Sequence, residues 1–169
     1  MRSGFFSLEL LYEHAKQDIA PPKGDGRGVK KHPAWSSYSR VRDQIMVEVP
    51  ESTGWYVWLK ASNSNDIEEI RYVGKTTKNQ IASLRARLYD HFKRERYSFW
   101  VKGKFSGCTH VIWVADENLS NEQVENVERY LIQWFKPTNN KRRAKPKGDL
   151  KLAEEVKNIF ETLFTSVRS

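Results

Sequence analysis

Residues 54–74 restrict the fold of this chain more than any other stretch. The run GWYVWL, from Gly54 to Leu59, sets Trp55, Val57 and Leu59 on one side of an extended chain and Tyr56 and Trp58 on the other, because side chains alternate along a strand. Its aromatic and β-branched residues suit a strand. Ala61 to Asp66 (ASNSND) is a polar turn, Glu69 to Val73 is a second β-prone run, and Gly74 ends it. Together they predict an antiparallel hairpin.

The pattern then turns helical. From Asn79 to about Glu95, Ile81, Leu84, Leu88 and Phe92 mark a buried stripe, with Arg87, His91 and Arg94 along a neighbouring face. Thr109 to Val114 reads as a third strand. Ser120 followed by Gln123 is a capping box, opening a helix that carries Val124, Val127, Leu131 and Trp134 on its apolar stripe and stops before Pro137. After Pro146-Lys147-Gly148, Asp149 is expected to cap a last helix with Leu152, Val156, Ile159, Phe160, Leu163 and Phe164 on one face. The order is β-β-α-β-α plus a terminal helix, an α+β chain. Residues 1–50 read as an N-terminal extension, 51–145 as the core and 146–169 as a C-terminal helix packed on it. In the extension, Leu8, Leu11, Tyr12 and Ala15 have helical spacing, and the Pro21–Gly28 region breaks regular structure. His32 to Arg42 has no clear period and suits a loop or a segment lying against DNA; Ser39 to Val47 suits either a short helix or a short strand.

At 169 residues the chain is one domain with an appendage. A mean hydropathy of -0.73 and the lack of an 18-residue apolar run argue against a membrane span. Glu9 and Glu13 interrupt the first apolar stretch, which makes a poor signal peptide. The single cysteine, Cys108, excludes an internal disulfide and a zinc site of several thiolates, so a reducing, cytoplasmic setting is expected and Cys108 is read as core. The net charge of +8 points to a polyanionic partner. Its clustering sharpens that expectation. One run is Lys141, Arg142, Arg143, Lys145 and Lys147. Another, Lys93, Arg94, Arg96, Lys102 and Lys104, is interleaved with Tyr97, Phe99 and Trp100, so cations can hold phosphates while rings stack on bases.

Five short patterns recur in order: Gly54-Trp55-Tyr56, Arg71-Tyr72-Val73-Gly74-Lys75, Arg85-Ala86-Arg87-Leu88 with His91 one turn on, Glu128 in a helix, and Asn140 just past Pro137. Each alone has an ordinary reading, as strand aromatics, surface cations, a solvated helix carboxylate or a turn amide. Jointly, over roughly residues 52–141, the set resembles the GIY-YIG endonuclease family, although Trp55 stands where the family usually has an aliphatic residue and Val73 replaces its usual Ile. The resemblance implies a small three-stranded antiparallel sheet flanked by helices. It also implies hydrolysis of DNA phosphodiester bonds to 5′-phosphate and 3′-hydroxyl ends. On the matching positions, Glu128 would hold Mg²⁺ or Mn²⁺, and Arg87 would offer its planar fork to the phosphate. Tyr56, favoured over Tyr72, would take a proton from the attacking water with its pKa lowered by Lys75 and the metal. His91 would hydrogen-bond that water or relay the proton, Asn140 would complete the catalytic set, and Arg85, Arg94, Lys141, Arg142 and Arg143 would contact nucleic acid.

The chain is too short for the extra domains of the bacterial excision-repair members, and one cysteine excludes the zinc module of the structure-selective eukaryotic members. A compact stand-alone nuclease remains, such as a type II restriction enzyme. The alternatives are a non-catalytic DNA-binding module of the same fold and an RNA-processing nuclease. Double-strand breaks need two active centres, so a homodimer on DNA is expected, with the apolar last helix either supplying the contact or folding back on its own domain.

Overall fold

A strand apolar on both faces needs cover on both faces, and the GWYVWL run has it. The computed structural model describes residues 1–8, 35–62, 66–78, 83–91, 105, 107–141 and 145–167. Within them are four strands, β1 (Arg2–Ser7), β2 (Gly54–Ala61), β3 (Ile67–Thr76) and β4 (His110–Ala115), and four helices, α1 (Trp35–Glu48), α2 (Leu84–His91), α3 (Asn121–Phe135) and α4 (Leu150–Val167). The strands form one antiparallel sheet in the order β1-β4-β2-β3. This is an α+β fold with four strands rather than the expected three. β1 pairs with β4 along its whole length, from Arg2↔Ala115 to Ser7↔His110. The first residues therefore belong to the sheet and are not an appendage to it. Leu8, expected on a helix, is buried directly after β1; Leu11, Tyr12 and Ala15 lie outside the described residues.

Alternation along β2 sorts the core into two layers. Tyr56 and Trp58 pack with Phe6, Val111, Trp113 and the α1 and α2 residues Val41, Ile45, Leu84 and Leu88. Trp55, Val57 and Leu59 pack with Val73, Ile112, Val114 and residues of α3 and α4. The β2–β3 register puts Tyr56 opposite Gly74 and Trp58 opposite Tyr72, so those four share the α1/α2 face. Arg71 is the extra residue of a bulge after the Trp58–Tyr72 pair. β3 does not end at Gly74 but continues to Thr76. At Gly54 a Cβ would stand 2.3 Å from the Val114 carbonyl oxygen, so only glycine allows β2 and β4 to pair this closely there.

The segment left undecided at 39–47 is helical, inside α1. The capping box at Ser120 and Gln123 forms in both directions, and Lys136 ends α3 in the left-handed region (φ 48) with its N–H on the Ile132 carbonyl. Trp55 donates its indole N–H to the Val124 carbonyl at 2.9 Å, fixing α3 against the sheet one turn before Glu128. The apolar face of α4 is spent inside the chain: Val156, Phe160 and Phe164 are buried against the sheet and α3. A homodimer seam through that face, one of the two uses expected for it, does not fit this packing. Cys108 is buried as expected, and desolvation pushes its thiol up to about 12. No helix among the described residues is long and apolar enough to cross a membrane.

Candidate active site

Parity and register bring most of the singled-out residues to one point. Tyr56 is only 3% exposed, and its ring lies over Gly74, where a Cβ would stand 2.3 Å from Cζ and 2.5 Å from the hydroxyl. Gly74 is thus the seat of the phenol. Tyr72, two residues earlier on the same face, sets its ring 6.1 Å from that of Tyr56. The His91 ring lies 5.8 Å from Tyr56 and edge-on to Trp58 and Phe105, at 5.5 and 4.9 Å. Trp58 and Phe105 stack at 3.9 Å and wall the pocket. Arg87, four residues before His91 and therefore on the same side of α2, reaches the phenol electrostatically. Its Nε is buried and has no hydrogen-bond partner among the described residues. Glu128, also 3% exposed, comes from α3 on the other side of the sheet, yet its charge is felt at Tyr56 as well.

The electrostatics at Tyr56 run against the expected lowering. Burial pushes the phenol far above its ordinary value. Tyr72 pushes it further, Arg87 pulls it down, and Glu128 and a hydrogen bond to Tyr72 that favours the protonated form add to the rise. Lys75 does not help. It is the register partner of Trp55, hence on the α3 face, and its ammonium stands 3.9 Å from the Glu125 carboxylate. Its expected place beside the phenol is corrected by strand parity alone.

Two further assignments change. Asn140 uses both ends of its amide on one peptide: Oδ1 accepts from the Val73 N–H and Nδ2 donates to the Val73 carbonyl, each at 2.8 Å. With Thr138 N–H on the Ile70 carbonyl (3.0 Å) and Asn139 N–H on that of Arg71 (2.9 Å), residues 138–140 cover the outer edge of β3. Asn140 therefore holds the strand that seats Tyr56, and it does so through backbone rather than at the phenol. Arg85, expected on phosphate, donates from Nε to the Val49 carbonyl at 2.6 Å and from a terminal nitrogen to Glu51 at 3.3 Å, tying α2 to the connection before β2. Lys141 is exposed. Arg94, Arg142 and Arg143, with the whole basic and aromatic run 93–104, lie outside the described residues.

Phe105 and the seating role of Gly74 had no signal in the sequence beyond a glycine in a β-run. An open cavity of about 270 Å³ near the start of β2, lined by Ser52, Thr53, Thr77, Lys78 and Ser83 among others, contains none of the converging side chains. Among the described residues no three of His, Cys, Asp and Glu cluster as metal ligands. Compared with protein-family models, curated proteins and solved structures, the chain matches none.

Two outcomes follow from the seat. Gly→Ala in a strand ordinarily stabilises by a few tenths to about 1 kcal/mol through the unfolded state. Gly74→Ala must instead displace the Tyr56 ring, and overpacking of this kind costs about 1–3 kcal/mol. Urea denaturation is expected to show a lower midpoint; an unchanged or raised midpoint would place the phenol elsewhere. The second outcome concerns pH. A phenol raised in the folded state keeps its proton where the unfolded chain loses it, above about pH 10. The folded state then binds more protons, so this contribution to stability is complete below pH 10 and falls above it, by at most about 1.4 kcal/mol per unit. Tyr56→Phe is expected to remove that part of the alkaline slope. Parallel slopes for both proteins would mean that Tyr56 titrates normally.

Proposed function

We propose that this protein is a divalent-cation-dependent endonuclease that hydrolyses DNA phosphodiester bonds, leaving 5′-phosphate and 3′-hydroxyl ends, and that it works as a compact member of the GIY-YIG type its motifs resemble. The observation that carries the reading is the convergence of Tyr56, Tyr72, Arg87, His91 and Glu128, from β2, β3, α2 and α3, on one phenol. Tyr56 and Glu128 are buried and Tyr72, Arg87 and His91 are partly buried, and polar side chains taken out of water are costly to keep.

The donor set suits Mg²⁺ or Mn²⁺ in one respect: Glu128 is a buried hard-oxygen ligand, and such ions take one or two carboxylates with water and phosphate oxygens for the rest. When bound, the cation would supply Lewis-acid polarisation of the phosphate. The chain's own groups do the positioning. The Arg87 Nε is buried with no hydrogen-bond partner among the described residues, and a guanidinium held out of water can grip a phosphoryl oxygen with several-fold more force than in water. Tyr56 rests protonated and donates a hydrogen bond. It can take a proton from water only after releasing its own, a loss that added positive charge favours, and Arg87 is the group among the described residues that already lowers it. His91, against the same ring, is placed to receive the proton the phenol releases.

Purified protein incubated with Mg²⁺ and end-labelled plasmid, duplex oligonucleotide or RNA tests the proposal. Cleaved DNA with phosphatase-sensitive 5′ ends is expected. Discrete fragments would mark a type II restriction enzyme and a smear a nonspecific nuclease. Cleavage of RNA alone would move the substrate class to RNA. Binding without cleavage of any substrate in Mg²⁺ or Mn²⁺ would leave a non-catalytic module and end the proposal.

A further inference from the structure

We infer that Lys136, Lys141, Lys145 and Lys147 form a nucleic-acid backbone-binding strip, fixed in register with the Tyr56 site by attachments to β3 and α3. The twelve residues 136–147, KPTNNKRRAKPK, carry six Lys and Arg and no Asp or Glu. Lys136, Lys141, Lys145 and Lys147 are all exposed. Such a run on an untethered tail is an unspecific cation. Here both ends are fastened. At one end Asn140 clamps the Val73 peptide, the residue between Tyr72 and Gly74, and Lys141 follows directly. At the other, Asn126 of α3, which is itself buried, accepts the Lys147 N–H and donates to the Gly148 carbonyl, each at 2.6 Å. Glu128 is two residues further along that helix. Lys141 thus follows directly on the attachment to the strand that seats the phenol, and Lys147 is attached to the helix that carries the carboxylate.

Three carboxylates of the neighbouring β3 and α3 have cations of their own, Glu68 among them through Lys60 at 3.1 Å. Glu69 is engaged by Arg71 and Thr138, and Glu125 by Lys75; Asp149 comes only after the fastened end. The partner that fits is a regular phosphodiester backbone. Duplex DNA offers about one charge per 1.7 Å, and a cation strip on it gains by releasing condensed counterions. The inference extends the nuclease reading to its binding surface but does not require cleavage.

The test uses a duplex of arbitrary sequence, fluorescence anisotropy, and EDTA to prevent hydrolysis. The salt dependence of binding is compared for the wild type, Lys141→Ala/Lys145→Ala in the strip, and Arg2→Ala/Lys151→Ala, an equal charge loss at exposed sites on β1 and α4. The strip variant is expected to flatten the slope of log K against log salt by about 1.8, two contacts at about 0.9 each, while the control variant keeps the wild-type slope. A wild-type slope in the strip variant, or equal flattening in both variants, would overturn the strip and leave only diffuse attraction by net charge. Because EDTA removes cleavage from the measurement, a protein that cuts nothing but shows the strip effect loses the nuclease reading and keeps this one. A protein that cuts but lacks the strip effect does the reverse.

Discussion

Glu128→Ala is expected to lower single-turnover DNA cleavage by about 10³-fold or more while duplex binding in EDTA stays within a few-fold of wild type. The position explains the size. Glu128 sits on the same α3 stripe as Val124, Val127 and Leu131, all fully buried, and is only 3% exposed. A carboxylate in that buried stripe, with its charge felt at the Tyr56 phenol, fits a group used for chemistry, and losing a cation ligand removes several kcal/mol of transition-state stabilisation at about 1.4 kcal/mol per tenfold in rate. The stability readout is separate. Glu128→Gln keeps the shape and removes the charge, so it is expected to cleave as poorly as Glu128→Ala, and its urea midpoint separates loss of chemistry from loss of fold. Activity within tenfold of wild type for either variant would take Glu128 out of the site.

The fold was legible where one physical rule dominates. The alternation of GWYVWL predicts a strand, and its apolar residues on both sides are the mark of a strand covered twice, which two helical layers supply. Ser120 and Gln123 announced α3 because a capping box satisfies donors that nothing else at a helix start can reach. The apolar face of α4 announced burial. β1 was not legible. Its residues RSGFFS bury Phe6 while Arg2 and Ser3 stay exposed, and a six-residue strand with one buried side chain has no period to read. Its place is set by β4, more than a hundred residues away in the chain; no local signal encodes that pairing.

The site divides along a similar line. Tyr56, Arg87, His91 and Glu128 could be grouped only through the spacing of the whole set, since each alone reads as an ordinary residue of its element. Lys75 shows what spacing by itself misses. It adjoins Gly74 in sequence, but neighbours on a strand face opposite ways, and once Tyr72 shares a face with Tyr56 the lysine must point to α3. Asn140 is a different case. Nothing in the sequence distinguishes an amide that touches a reacting group from one that replaces a missing strand, and the edge of β3 beside Val73 takes both of its hydrogen-bonding ends. Arg85 is similar: its guanidinium answers a backbone carbonyl at Val49, a demand set by how α2 meets the chain before β2.

Arg87→Ala is expected to reduce cleavage at saturating DNA by about 10²–10³-fold, the scale for removing one preorganised charge stabiliser, and to leave the salt slope of binding unchanged. Two features separate Arg87 from the other cations of this basic chain. Its Nε is buried without a partner among the described residues, so the folded protein holds an unanswered donor in the pocket. It is also the influence that pulls the Tyr56 phenol down against burial, Tyr72 and Glu128. Removing it therefore acts twice, taking away a grip on the phosphate and making the phenol a still weaker acid. The second effect has its own signature: any rise of the cleavage rate with pH that depends on the phenol moves to higher pH in Arg87→Ala. Arg87→Lys should recover little of the rate, because a point charge on a flexible stem cannot reproduce a planar fork. Arg143→Ala in the basic run gives the opposite pattern, weaker binding and a salt slope flatter by about one unit. If Arg87→Ala changed affinity and salt slope, and Arg143→Ala stopped turnover at saturating DNA, the roles of the two arginines would have to be exchanged and the phenol pocket would lose its claim to be the place where the phosphate is cut.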